Sequence, residues 1–82
     1  MSTAELVRDI IVEETHWEGP RDALTDDYQL VEQQLLDSLA LMRLVTRLEE
    51  AFSITVRDED VLPSNFASIA RIAAFVDAQR GA

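Results

Sequence analysis

Leu41, Leu44, Val45, Leu48 and Phe52 follow one another at spacings of three and four, the period of one face of an α-helix and not the alternation of a strand. Asp37 stands before this run as an N-cap whose carboxylate can accept a hydrogen bond from a free backbone N–H of the first turn. The helix is therefore expected from about Ser38 to Ala51, with Ser38 as its first residue. The same period appears twice more. Near the start, Leu6, Val7, Ile10 and Ile11 form a stripe opposite Arg8, Asp9, Glu13 and Glu14, which predicts a helix from about Thr3 to His16 capped by Ser2 or Thr3. Toward the end, Ser68 caps a helix in which Ile69, Ile72, Ala73 and Val76 face inward with Phe75 beside them, ended by Gly81.

Between these helices the pattern breaks. Gly19-Pro20 stops the first helix, and from there to Asp37 turn formers mix with isolated Leu24, Tyr28, Leu30 and Leu35, apolar residues suited to pinning a long loop across a bundle. A loop of this length inside a small domain is often functional. Phe52, Ile54 and Val56 alternate with Ser53, Thr55 and Arg57, but no second strand pattern exists to pair with them, so an extended connection is expected. A short helical turn around Asp58 to Leu62 should be ended by Pro63. The fold class that follows is all-α, three main helices plus one short helix, in one domain spanning residues 1–82.

Sixteen acidic residues against seven basic ones, all arginine, give a net charge of −9. Such a surface repels nucleic acid phosphates and anionic lipid headgroups and favours basic protein surfaces. No segment approaches the roughly 20 apolar residues needed to span a bilayer, and the N-terminus lacks a signal-peptide layout. With no cysteine there are no disulfides or thiolate metal sites, and the expectation is a soluble cytoplasmic protein.

Ser38 is the residue that could carry chemistry. At the first position of a helix its hydroxyl lies at the positive end of the helix dipole, where a phosphate attached to it is stabilised by that dipole and by unpaired N–H groups. It is poorly equipped as a nucleophile. The one histidine, His16, lies beside Trp17 at the end of helix one, and no Gly-x-Ser-x-Gly elbow is present. One histidine and scattered carboxylates match no metal-ligand spacing. His16 and Trp17 read as structural, with the indole closing over the start of the loop, and Asp58-Glu59-Asp60 reads as a solvated acidic patch. Leu41, Leu44, Val45 and Leu48 are core. Met42 suits an adaptable contact surface as well as a gap in a core.

The Leu36-Asp37-Ser38-Leu39 motif, the loop with Leu24-Thr25-Asp26-Asp27 and Leu30-Val31-Glu32, the helix ending Leu48-Glu49-Glu50-Ala51-Phe52, the Ile54-Thr55-Val56 stretch and the Pro63-Ser64-Asn65-Phe66 corner together resemble the acyl and peptidyl carrier proteins. The resemblance runs from about Leu6 to Val76. It implies a small four-helix bundle of acyl-carrier type, without enzymatic activity, carrying 4′-phosphopantetheine on Ser38. A phosphopantetheinyl transferase would donate the group from coenzyme A with magnesium, and its thiol would carry acyl or aminoacyl groups as thioesters. By the same resemblance Asp37 belongs to the surface the transferase reads, and Leu36, Leu39, Met42 and Arg43 touch partners. Those partners would be an acyl- or aminoacyl-activating ligase and downstream acyl-using enzymes, met by a monomer.

Two departures bear on which carrier this is. Leu36 precedes Asp37 where fatty acid carriers usually have a glycine-containing approach, and Arg43 and Arg47 on the exposed side of helix two weaken the expected acidic stripe. The Leu-Leu-Asp-Ser-Leu form and the Pro63 corner are closer to free-standing carriers loaded with amino acids or unusual acyl groups by dedicated ligases. The competing class is a helical adaptor or regulator that never carries a prosthetic group. The chain also lacks lysine as well as cysteine, so apart from its N-terminal amine it offers no strong internal nucleophile to a thioester.

Overall fold

The Ser2 hydroxyl accepts the Glu5 backbone N–H at 3.2 Å while the Glu5 carboxylate reaches back to the Ser2 N–H, a reciprocal cap that satisfies two donors otherwise left open at a helix start. The Ser2 backbone hydrogen bond, followed by that of its side chain, holds the Glu5 carboxyl below its ordinary value. The computed structural model describes residues 2–81, and the N-terminal amine lies outside them. From this cap α1 runs Thr3–Thr15, α2 spans Ser38–Phe52, α3 is the single turn Pro63–Phe66 and α4 spans Ile69–Gly81. One-turn 3-10 helices occupy Arg21–Ala23 and Asp58–Asp60. There is no strand among the described residues, and Ile54 to Arg57 form an irregular connection in which Arg57 is extended, as the want of a pairing partner predicts.

α1 packs on both α2 and α4, and the Thr3 hydroxyl donates to Asp77 at 2.7 Å, so the start of α1 meets the end of α4 in antiparallel fashion. Val7, Ile10 and Ile11 of α1, Leu44, Leu48 and Phe52 of α2, Phe66 of α3, and Ile69, Ile72 and Val76 of α4 are buried in one core, with half-buried Phe75 against Phe66 at its rim. These are the predicted stripes. Leu41 and Val45, expected inside, are half-buried and pack against the core from its rim.

Two helix boundaries have local causes that the sequence reading did not give. α1 stops at Thr15 because His16 turns left-handed, at φ 54°, with its N–H and that of Trp17 both donating to the Val12 carbonyl; Gly19-Pro20 lies beyond a helix that has already closed. Pro63 does not end a helix around Asp58 to Leu62 but opens α3 at its first position, where its missing N–H costs nothing and its fixed φ is helical. Gly81 is the last residue of α4, as expected.

The long connection from α1 to α2 is fastened at both ends. Arg8 of α1 donates through Nε to the Leu24 carbonyl at 2.9 Å and pairs through Nη2 with Asp26, and Arg21 pairs back to Asp9. The Trp17 indole N–H donates to the Pro20 carbonyl at 3.0 Å and its ring meets Tyr28 edge-on, closing the loop start as the sequence suggests. Leu24 and Leu30 are fully buried, each worth roughly 1.5–3 kcal/mol of burial. Across the chain, the Ala70 N–H donates to the Asp26 carbonyl at 2.9 Å and the Leu30 N–H to the Ala67 carbonyl at 2.8 Å. Replacing Leu30 by alanine should lower the unfolding free energy by about 2–5 kcal/mol, read from urea denaturation, whereas Leu62→Ala, at an exposed position, should change it by no more than about 0.5 kcal/mol.

Candidate prosthetic-group attachment site

The approach to Ser38 is shaped by one turn. From Leu30 the backbone coils helically, then Gln34 turns left-handed at φ 60°. The Gln34 N–H donates to the Val31 carbonyl, and the N–H groups of Leu35 and Leu36 both donate to the Leu30 carbonyl, at 2.9 and 3.0 Å. This is the paired closure that ends helices, here built without glycine. It drops Leu36 into the core at 5% exposure and leaves Asp37 extended at φ −88°, ψ −179°.

Asp37 then caps α2. Its Oδ1 accepts the Ala40 N–H at 2.8 Å and its carbonyl accepts the Leu41 N–H at 2.9 Å. Ser38 is the first helical residue and its side chain is exposed. Neither the Ser38 nor the Leu39 backbone N–H has a partner among the described residues, so two donors are left open at the helix start. These residues fit a phosphodiester on Ser38: the oxygen is accessible, the helix end is positive, and the one nearby carboxylate is turned onto Ala40.

Leu39 and Met42 stand out from the next turn at 60% and 69% exposure. With Arg43, Thr46, Arg47 and Glu14 they line a shallow groove between α2 and α1. Met42 is thus surface and not core. Leu36 corrects the expectation the other way: buried by the Leu30 turn, it has no face to offer a partner. Arg43 and Arg47 do not simply project from the exposed side of α2. Arg47 donates to Glu13 at 2.7 Å and to Glu14 at 3.2 Å, and the Glu13 bond, with that to Glu14, raises its pKa above the ordinary arginine value. Arg43 reaches Glu14 only through Nε at 3.7 Å. Two apolar side chains to which the sequence reading gave no surface role, Val31 and Leu62, are exposed as well; each is an isolated large apolar residue in a polar connection, the signal that could have found it.

His16, the one histidine, caps the end of α1, and no group of three or more metal-binding side chains occurs among the described residues. No helix among those residues is long and apolar enough to cross a membrane. What the geometry provides is an accessible hydroxyl on a rigid helix end.

The comparisons with known proteins bear on the same residues. A family model described as the phosphopantetheine attachment site matches residues 5–76. The chain is similar to an acyl carrier protein of Akkermansia muciniphila, 35% identical over 98% of this chain and 95% of that one. It is also similar to an acyl carrier protein of Kineococcus radiotolerans, 32% identical over 89% of this chain and 85% of its relative. The cap is open to direct test: Asp37→Ala should destabilise the fold by about 1 kcal/mol and Asp37→Asn by less, measured by urea denaturation.

Proposed function

The chain belongs to the phosphopantetheine attachment family of acyl carrier proteins, and on that premise we propose that Ser38 is the residue that carries the group and that residues 1–82 act as one carrier domain. The family's 4′-phosphopantetheine is covalently attached, and carriers of this family are not catalysts. When bound, the group supplies a thiol on a long arm that holds acyl groups as thioesters. The observation that carries the assignment to Ser38 is its position as the exposed first residue of α2 behind the Asp37 cap.

The chain's own residues supply position and electrostatics. Asp37 fixes the helix start, the free N–H groups of Ser38 and Leu39 face a phosphate on the hydroxyl, and Leu39, Met42 and Arg43 form the adjoining contact surface. A carrier role entails a phosphopantetheinyl transferase and acyl-using enzymes as partners. Each must meet the same short helix face in turn, which requires small, transient contacts, while the tether raises the effective concentration of cargo at each active site. A monomer in the cytoplasm, loaded by an acyl-activating ligase, is the form this reading takes.

Both named relatives are plain acyl carrier proteins, so the acyl class is the conclusion. The narrower reading, an amino-acid or other dedicated cargo, is supported by Leu36 ahead of Asp37 and by the two arginines of α2.

Incubation with coenzyme A, magnesium and a broad-specificity phosphopantetheinyl transferase should add one phosphopantetheinyl group by intact mass. Ser38→Ala should abolish the addition and leave helicity by circular dichroism nearly unchanged. Addition to the alanine variant would overturn Ser38 as the site, and no addition to the folded parent would favour an adaptor.

A further inference from the structure

All seven cationic side chains are arginine, and the sequence holds neither lysine nor cysteine. The fold uses the guanidinium fork at only some of them. Arg8 gives Nε to the Leu24 carbonyl and Nη2 to Asp26, and Arg47 gives its two terminal nitrogens to Glu13 and Glu14, acceptor pairs suited to a planar fork and not to a single ammonium. Arg21 reaches both Asp9 and the Glu5 carbonyl. Elsewhere the fork is idle. Arg43 makes one ion-pair contact, Nε to Glu14 at 3.7 Å, Arg57 makes one, to Glu59 at 3.3 Å, Arg80 lies over the Phe52 ring and Arg71 is exposed. Contacts of these kinds are ones a lysine also makes. The two residues differ in chemistry: an ammonium can lose a proton to become a nucleophilic amine, whereas a guanidinium stays charged.

We infer that the surface around Ser38 is inert to acyl transfer: arginine at position 43, where lysine would serve the fold equally, keeps a thioester on the arm from acylating its own carrier. The inference rests on the carrier reading of Ser38 and concerns the fate of the cargo held there. Arg43 follows Ser38 by about 7.5 Å of helix rise, and its exposed side chain lines the same groove as Leu39 and Met42, within the sweep of a long flexible arm. An amine at this position would attack the thioester carbonyl, form an amide and expel the arm as its free thiol, the amine's proton passing to the sulfur through solvent. The tether would hold amine and carbonyl at a high effective concentration. Other groups are poorer acceptors. Hydroxyls need a general base to attack, and an acyl group taken by the exposed imidazole of His16 would pass on to water and leave no lasting adduct. The start of α1 lies toward the other end of α2, since Thr3 bonds Asp77 in the last turns of α4 and Arg80 of the same turns covers Phe52, the last residue of α2.

The experiment gives the transferase acetyl-coenzyme A in place of coenzyme A, so that the arm arrives on Ser38 already acetylated. The loaded parent and Arg43→Lys are then held at mildly alkaline pH, and intact mass is followed before and after hydroxylamine, which cleaves thioesters and spares amides. On the parent, hydroxylamine should remove every acetyl group at every time. On Arg43→Lys a resistant acetyl group should accumulate, mapped by peptide mass to position 43, at a rate independent of protein concentration. The acetyl lifetime on the thiol should fall by roughly two- to fivefold. An Arg43→Lys chain that keeps its thioester as long as the parent and gains no resistant acetyl overturns the inference. So does a resistant acetyl on the parent at any residue, the N-terminal amine included, or a rate on Arg43→Lys that rises with protein concentration, which marks transfer between chains. Failure to attach the arm to Ser38, read by intact mass before the incubation, overturns the carrier reading and this inference with it; an arm on Ser38 followed by any of the three contrary results overturns this inference alone.

Discussion

The Leu30 main chain is the constraint on which the rest of this structure depends. Its N–H is given to Ala67 in the α3–α4 corner, and its carbonyl receives both Leu35 and Leu36, while its side chain is fully buried. One residue thus anchors the loop to the last third of the chain and closes the turn that delivers Asp37 to its cap. Burying this side chain would be of little use with its peptide groups unpaired, since each buried unpaired group costs about 1–3 kcal/mol; here packing and hydrogen bonding converge on the same place. The direction in which α2 starts, and so the direction in which Ser38 points, is set outside α2.

Electrostatics divides the surface into two unequal parts. Most of it is acidic, suited to solubility and to keeping copies of the chain apart. The α2 face differs because arginines on α2 answer glutamates on α1, so that the pairs also tie the two helices together. Such exposed pairs add little stability, about 0–1 kcal/mol each. Their effect is to balance charge on the face of α2 next to Ser38.

What was legible in the sequence was what depends on near neighbours. The three helical stripes, the Asp37 cap and the Ser68 cap, whose hydroxyl accepts the Arg71 N–H at 3.2 Å, are all decided within one turn of chain. The rest depends on residues far apart in sequence. Leu36 resembles its neighbour Leu39 in composition, yet one is core and the other surface because of a turn closed by Gln34, which carries no glycine signal. His16 ends α1 left-handed, again without glycine. The arginines of α2 read as free charges until the packing of α1 on α2 supplies Glu13 and Glu14. Pro63 was misread in sense: the same fixed φ that bars a helix interior favours a helix start.

The bonds from Asp26 to Ala70 and from Leu30 to Ala67 join opposite halves of the chain, and closing so long a segment carries an entropic cost that local turns do not. During synthesis the Asp37-Ser38 pair emerges well before the residues that fasten the loop in front of it. A nascent chain can therefore display the Asp37-Ser38 pair while its helix start still lacks a fixed direction, which is set only once Ala67 and Ala70 have followed and hold the loop.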